Sequence, residues 1–129
     1  MKQVKCDLFG KGEYIFFNIG RLSRLESELG KPIVTLLNGN IGITETIAAY
    51  KIGLAHVDKK RTTVWYEEKM QALLEEGVTL DAIMMPVLKA IIGSGIAGKA
   101  AYFEAFPEEM TAKDKQYLEA EAKLHGKNA

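Results

Sequence analysis

Cysteine, histidine and long apolar runs are what this sequence has least of. One of its 129 residues is cysteine, Cys6, so no internal disulfide can form and nothing asks for an oxidising compartment. The two histidines, His56 and His125, have no Cys, Asp or Glu beside them at a known metal-ligand spacing. No apolar run approaches the roughly 20 residues of a membrane-spanning helix. The opening Met1-Lys2-Gln3-Val4-Lys5 lacks the apolar stretch of a secretion signal. An excess of either charge is missing too: 17 Lys and Arg face 17 Asp and Glu, a formal net charge of zero. A duplex binder needs a net basic face, so nucleic acid is a poor partner. These absences predict a soluble, cytoplasmic protein with no membrane segment, no nucleic-acid partner, no metal and no cofactor. They make an enzyme the harder case.

What is present is globular: 47% hydrophobic and 26% charged residues. The length suits a single domain, read as residues 1–125, with Gly126-Lys127-Asn128-Ala129 as a tail. Balanced charge also removes the repulsion that keeps copies apart, which favours a homo-oligomer.

From Gln3 to Asn18 the pattern has period two. Val4, Cys6 and Leu8 alternate with Lys5 and Asp7, Phe9-Gly10-Lys11-Gly12 supplies a turn, and Tyr14-Ile15-Phe16-Phe17 suits a second strand. This predicts a β-hairpin. Its second strand is apolar on both faces, so either Tyr14/Phe16 or Ile15/Phe17 joins Val4, Cys6 and Leu8 over the helices. The other pair needs cover, from the same chain or from another copy, because a lone hairpin has two open edges.

After Asn18 the spacing is helical. Ile19, Leu22, Leu25 and Leu29 form one stripe, closed by Gly30; Pro32 opens Ile33, Val34, Leu36 and Leu37. Thr44 is a candidate cap for a helix carrying Ile47, Tyr50, Leu54 and Val57. Thr63 or its neighbour starts another, with Tyr66, Met70, Leu73 and Leu74 inward. Thr79 caps the clearest stripe, Leu80, Ile83, Met84, Val87, Leu88 and Ile91, in which Pro86 lies off the apolar face and predicts a kink. A further helical stretch runs to about Phe106, and Thr111 with Asp114 begins a charged helix to Leu124. The fold class is therefore α+β, mainly α: an N-terminal hairpin followed by five or six helices.

Gly93-Ser94-Gly95-Ile96-Ala97-Gly98-Lys99 matches both a dinucleotide loop and a P-loop in spelling. Ala100 stands where a P-loop needs a hydroxyl, the residues before Gly93 have helical period, and no apolar β-run follows Phe106. A glycine-hinged helix junction fits better than a phosphate cradle. The adjacent pairs Glu67-Glu68, Glu75-Glu76 and Glu108-Glu109 diverge by about 100° on a helix, so they are solvated faces rather than acid–base pairs. Trp65 beside Tyr66 reads as packing, and Lys59-Lys60-Arg61 as a loop. His56, near a helix C-terminus, and His125 read as surface or capping residues.

The stretch from Asn18 to Ile33 contains Leu22-x-x-Leu25-Glu26-x-x-Leu29-Gly30 directly after the hairpin. It resembles the opening of tail assembly chaperones from long-tailed phages and gene transfer agents. The likeness continues more loosely through Ile33–Leu37, the Thr44–Val57 helix and the helix that rises from Gly77-Val78-Thr79. Members of that family are not enzymes. They coat the helical tape-measure protein in the host cytoplasm before tail-tube subunits polymerise around it, and they are absent from the finished virion. Some form rings or spirals, and many exist in a short and a frameshifted long form. The resemblance therefore implies a non-enzymatic chaperone of phage or prophage origin, with tape-measure protein and tail-tube protein as partners. Two alternatives stand beside it: a small nucleotide-binding protein using Gly93 to Lys99, and a bacterial adaptor of similar fold. Partner contacts are expected on the hairpin at Tyr14, Ile15, Phe16 and Phe17. A second set is expected along the last stripe and hinge at Val87, Ile91, Ile92 and Ile96.

Overall fold

The computed structural model describes residues 1–127. Two strands, β1 (Val4–Lys5) and β2 (Tyr14–Ile15), precede α1 (Ile19–Leu29), α2 (Ile33–Leu37), α3 (Ile43–Gly53) and α4 (Thr63–Glu75). Then come α5 (Leu80–Gly93), α6 (Lys99–Ala105), a 3-10 turn at Pro107–Glu109 and α7 (Ala112–Lys127). The protein is mainly α within the α+β class, as expected. Among the described residues there are seven α-helices rather than five or six, because the short piece after Pro32 also coils.

The hairpin is shorter than its period-two pattern suggests. Val4 pairs with Ile15 and Lys5 with Tyr14, antiparallel, and one further bond runs from Cys6 N–H to Glu13 C=O at 2.8 Å. Beyond that the Asp7 carboxylate turns to accept from Gly12 N–H at 2.7 Å and closes the loop. The outer edges do not stay open. Lys2 N–H donates to Gly93 C=O at 2.9 Å, and Phe16 N–H reaches Gly53 C=O at 3.5 Å. The hairpin is thus wedged between the C-terminal ends of α5 and α3. Glycine is required at both contacts: a Cβ on Gly53 would stand 2.5 Å from Ile15 Cγ1, and one on Gly93 would stand 2.8 Å from Lys2 Cβ.

Side-chain caps set the helix starts. Asn18 Oδ1 accepts from Arg21 N–H at 2.9 Å, Thr62 Oγ1 from Trp65 N–H at 3.1 Å, and Thr79 Oγ1 from Ala82 N–H at 3.2 Å. Gly30, at φ 69°, stops α1 in the left-handed conformation. Glu26 then explains its place in the Leu-Glu-x-x-Leu-Gly segment. Its carboxylate accepts from Ile33 N–H at 2.9 Å and so caps α2 from α1. Thr44 is not a cap: α3 starts one residue earlier, behind Gly42, and Thr46 Oγ1 instead donates back to Gly42 C=O at 2.7 Å. Pro86 sits within α5 without ending it. α7 continues through Gly126 and Lys127, half of the expected tail; residues 128–129 and the His125 side chain lie outside those described.

One core unites the hairpin with α1 to α5. Ile15, Phe17, Leu25, Leu36, Ala49, Leu54, Ile83 and Ile91 are completely buried around Tyr50 and Tyr66. Phe9 meets Tyr50 and Tyr66 edge-on at 4.6 and 5.1 Å. The Tyr50 hydroxyl donates to Ile83 C=O at 2.5 Å, which gives this buried group a partner inside the α3–α5 contact. Three residues of the expected stripes, Ile19, Val57 and Leu74, face solvent instead, as does Val34 in the short piece after Pro32. Ile19 and Val34 lie in the first turn of their helices, and Val57 lies beyond the end of α3. Position at a helix end, not spacing, puts those three outside the packed face.

Candidate functional site

Two regions were expected to offer apolar surface, and their geometries differ. In the hairpin, alternation sends Ile15 and Phe17 inward with no exposed surface. They are core residues, and neither can touch a partner while the protein is folded. Tyr14 and Phe16 form the outer pair, and the chain covers much of it itself. His56 stacks on Tyr14 at 4.7 Å and lies 4.9 Å from the Phe16 ring. The Arg21 guanidinium sits 3.8 Å above the Phe16 ring. Its Nη1 donates to Gly53 C=O at 2.9 Å and stands 3.1 Å from His56 Nδ1. Arg21 is buried with its hydrogen bonds made, and burial lowers its pKa. His56 is held below the usual imidazole range, first by partial burial and then by the Arg21 charge. The neutral ring, with Nδ1 as acceptor, completes this ledge.

A second tie locks the hairpin loop to α4. Arg61 meets the Glu13 carboxylate through both guanidinium nitrogens, at 2.8 and 2.5 Å, and lies 4.4 Å above the Trp65 ring. The Glu13 hydrogen bond raises the Arg61 pKa. Lys59 and Lys60 point to solvent while Arg61 is committed to this bridge, so the three do not share a basic patch. Cys6 is buried, which pushes its thiol pKa up and leaves it a small apolar residue. Among the described residues no three Cys, His, Asp or Glu side chains gather as a metal site, and no helix is long and apolar enough to cross a membrane.

The α5–α6 end is open. α5 is apolar on two opposite faces. Ile83, Val87, Ala90 and Ile91 face the core, so Val87 and Ile91, expected at a partner surface, are structural. Ile92 is half-buried and Ile96 is exposed. The outer face carries Met85, Leu88 and Ile92 at i, i+3 and i+7. With Ala101 and Ala105 of α6 these line a cleft of about 330 Å³. Lys89 stands on the α5 wall and Glu104 on the α6 wall. Met85 keeps 50% of its surface exposed, high for an apolar side chain next to a packed helix.

The glycine-rich segment is the turn that brings α6 back beside α5. α5, not a strand, leads into it; Ser94 Oγ donates to Ile91 C=O at 2.5 Å and accepts from Ile96 N–H at 3.2 Å. Gly95 and Gly98 both take φ 90°. Lys99 extends toward the Tyr117 ring, 4.8 Å away, rather than over the loop. The strand–loop–helix frame of a phosphate cradle is therefore missing, and the hinge is what the glycines make. α6 is held by Phe103 and Phe106, both buried, with Tyr102 between them at 5.3 and 5.1 Å.

Of eight expected contact residues, four are core and two belong to the partly covered hairpin ledge. Ile92 and Ile96 remain at the open end. Met85, Lys89, Ala101, Glu104 and Ala105 fall outside the stripe read from the sequence. The signal for them was the doublets Met84-Met85 and Ile91-Ile92, which load two helix faces at once. Comparison of the chain with protein families, curated proteins and solved structures finds no match to any of the three.

Proposed function

We propose that this protein is a non-enzymatic tail assembly chaperone that binds the helical tape-measure protein of a phage or prophage in the host cytoplasm, working as a homo-oligomer and leaving before the virion is complete. The observation that carries this reading is the α5–α6 cleft. It is lined mainly by apolar side chains, with Lys89 on one wall and Glu104 on the other. An amphipathic helix lays its apolar stripe into such a groove through anchors at i, i+3, i+4 and i+7. A tape-measure protein is a long helix whose stripe stays uncovered until the tube forms, and a bound groove shields it from self-association. The hairpin-then-helix order supports the same reading. The Leu22-to-Gly30 segment that resembles the family builds α1 and caps α2, so it is a fold determinant rather than a contact surface.

The test is co-expression with the tape-measure protein of the same gene cluster, scored by how much of that protein stays soluble and co-purifies. The native chain retains it, and Met85→Asp, which puts a charge into the cleft without touching the core, loses it. Retention by both would remove the cleft from the mechanism. A gene neighbourhood without tail-tube and tape-measure genes would favour the adaptor reading.

A further inference from the structure

Lys89 and Glu104 are charges that the fold leaves unused. At the joints between elements, acidic side chains are committed: Glu13 to Arg61, Glu45 to Lys31, Glu28 to Lys51 and Glu109 to Lys2. Among the described residues the Lys89 and Glu104 side chains enter no ion pair and no hydrogen bond, with each other or with any neighbour. Both are exposed, and both line the α5–α6 cleft. Lys89 falls between Met85 and Ile92 along α5, and Glu104 between Ala101 and Ala105 along α6. The two walls also differ in bulk. α5 contributes the long side chains of Met85, Leu88 and Ile92, while α6 contributes two methyl groups, those of Ala101 and Ala105. A helix seated between them finds room for long apolar side chains against the alanines and for short ones against α5.

The cleft is therefore asymmetric in charge and in size, and both differences run from one wall to the other. The flanks of a bound helix are not interchangeable either, because turning it end for end exchanges the flank that meets each wall. We propose that the cleft selects its client helix by the flanks. Toward α6 it takes long apolar side chains bordered by Lys or Arg; toward α5 it takes short side chains bordered by Asp or Glu. One direction of the helix satisfies both walls. The reverse sets a cation beside Lys89, an anion beside Glu104 and long side chains against α5. Lys89 and Glu104 are thus specificity-determining residues, and they fix the direction in which the client lies. An exposed pair attracts weakly by itself. Here the discrimination is the difference between two attractions and two repulsions, which is how charged interfaces reject wrong partners. The inference rests on the cleft as the client groove proposed above, and it adds which helices that groove takes.

Two synthetic amphipathic helices of one composition, titrated calorimetrically into the full chain, test the selection. Both carry a row of leucines beside a row of alanines. The first places Lys along the leucine flank and Glu along the alanine flank; the second exchanges Lys and Glu. The native chain binds the first about tenfold more tightly than the second, and the preference fades as salt rises. Lys89→Glu combined with Glu104→Lys, which alters exposed side chains and leaves every apolar contact in place, inverts the preference. Equal binding of the two helices by the native chain, or a preference that the double reversal leaves standing, would overturn selection by flank. Met85→Asp separates this inference from the reading beneath it. If Met85→Asp loses both helices while the native chain holds them alike, the groove stands and the selection falls. If the native chain binds neither helix, or Met85→Asp binds them as the native chain does, both fall.

Discussion

The hairpin and the α5–α6 end start from the same ingredient, an element apolar on two faces, and end differently. In the hairpin both faces find cover within the chain. Ile15 and Phe17 enter the core, and the outer pair is shielded by a buried arginine and a neutral histidine. In α5 one face is core while the other, Met85 to Ile92, opens into a cleft. The path of the chain beyond each element makes the difference. Asn18 and α1 return at once over the hairpin and bring Arg21 to the C-terminal carbonyl of α3. After α5 the chain turns at a glycine hinge into a seven-residue helix that is too short to cover it. Surplus apolar surface becomes a site only where the chain does not come back over it.

The sharpest way to break this comparison is inside the hairpin. Phe17→Ala should cost about 3–5 kcal/mol, since it leaves a cavity in the central cluster. The result is a lower urea midpoint, not a lower oligomeric mass. If stability were unchanged and mass fell, Phe17 would be an interface residue after all. Next in size, Arg21→Met strips the donor from Gly53 C=O and the cation from the Phe16 ring, and should cost about 2–3 kcal/mol in the same titration.

His56 makes stability depend on pH. Its pKa is depressed in the folded protein from an ordinary value near 6.5, so the unfolded chain binds the proton more readily. The stability this ring contributes is fully present above pH 6.5 and is lost as pH falls through the folded pKa. The native chain should therefore lose stability below pH 6.5 more steeply than His56→Gln, as tracked by urea midpoints between pH 5 and 8. Parallel curves would show that the Arg21–His56 contact does not matter. Smallest is Met85→Asp. With half its surface already in solvent, it should shift stability by under about 0.5 kcal/mol while removing whatever the cleft binds.

Much of the fold was legible in the chain. Asn18, Gly30, Thr62 or Thr63, and Thr79 marked helix ends because a cap is a local contact between neighbours. Period two marked the hairpin but overstated its length: beyond the paired residues Lys2 bonds to the end of α5 and Phe16 to the end of α3, both far along the sequence, while Asp7 turns to close the loop on Gly12. The same distance hid which hairpin pair faces out: Gly53 packing on Ile15 decides it, and no local pattern contains that contact. The stripe through Ile83, Val87 and Ile91 was visible, but a stripe marks the buried face, and the open face was the one beside it.

The most direct test of the open cleft is calorimetric titration of a helical tape-measure segment into the native chain, Met85→Asp and Tyr14→Ser. If the α5–α6 cleft is the groove that holds the helix, the native chain and Tyr14→Ser bind it alike, and Met85→Asp binds at least tenfold more weakly. Loss of binding in Tyr14→Ser with Met85→Asp unaffected would contradict the account and return the hairpin to the role the cleft has been given.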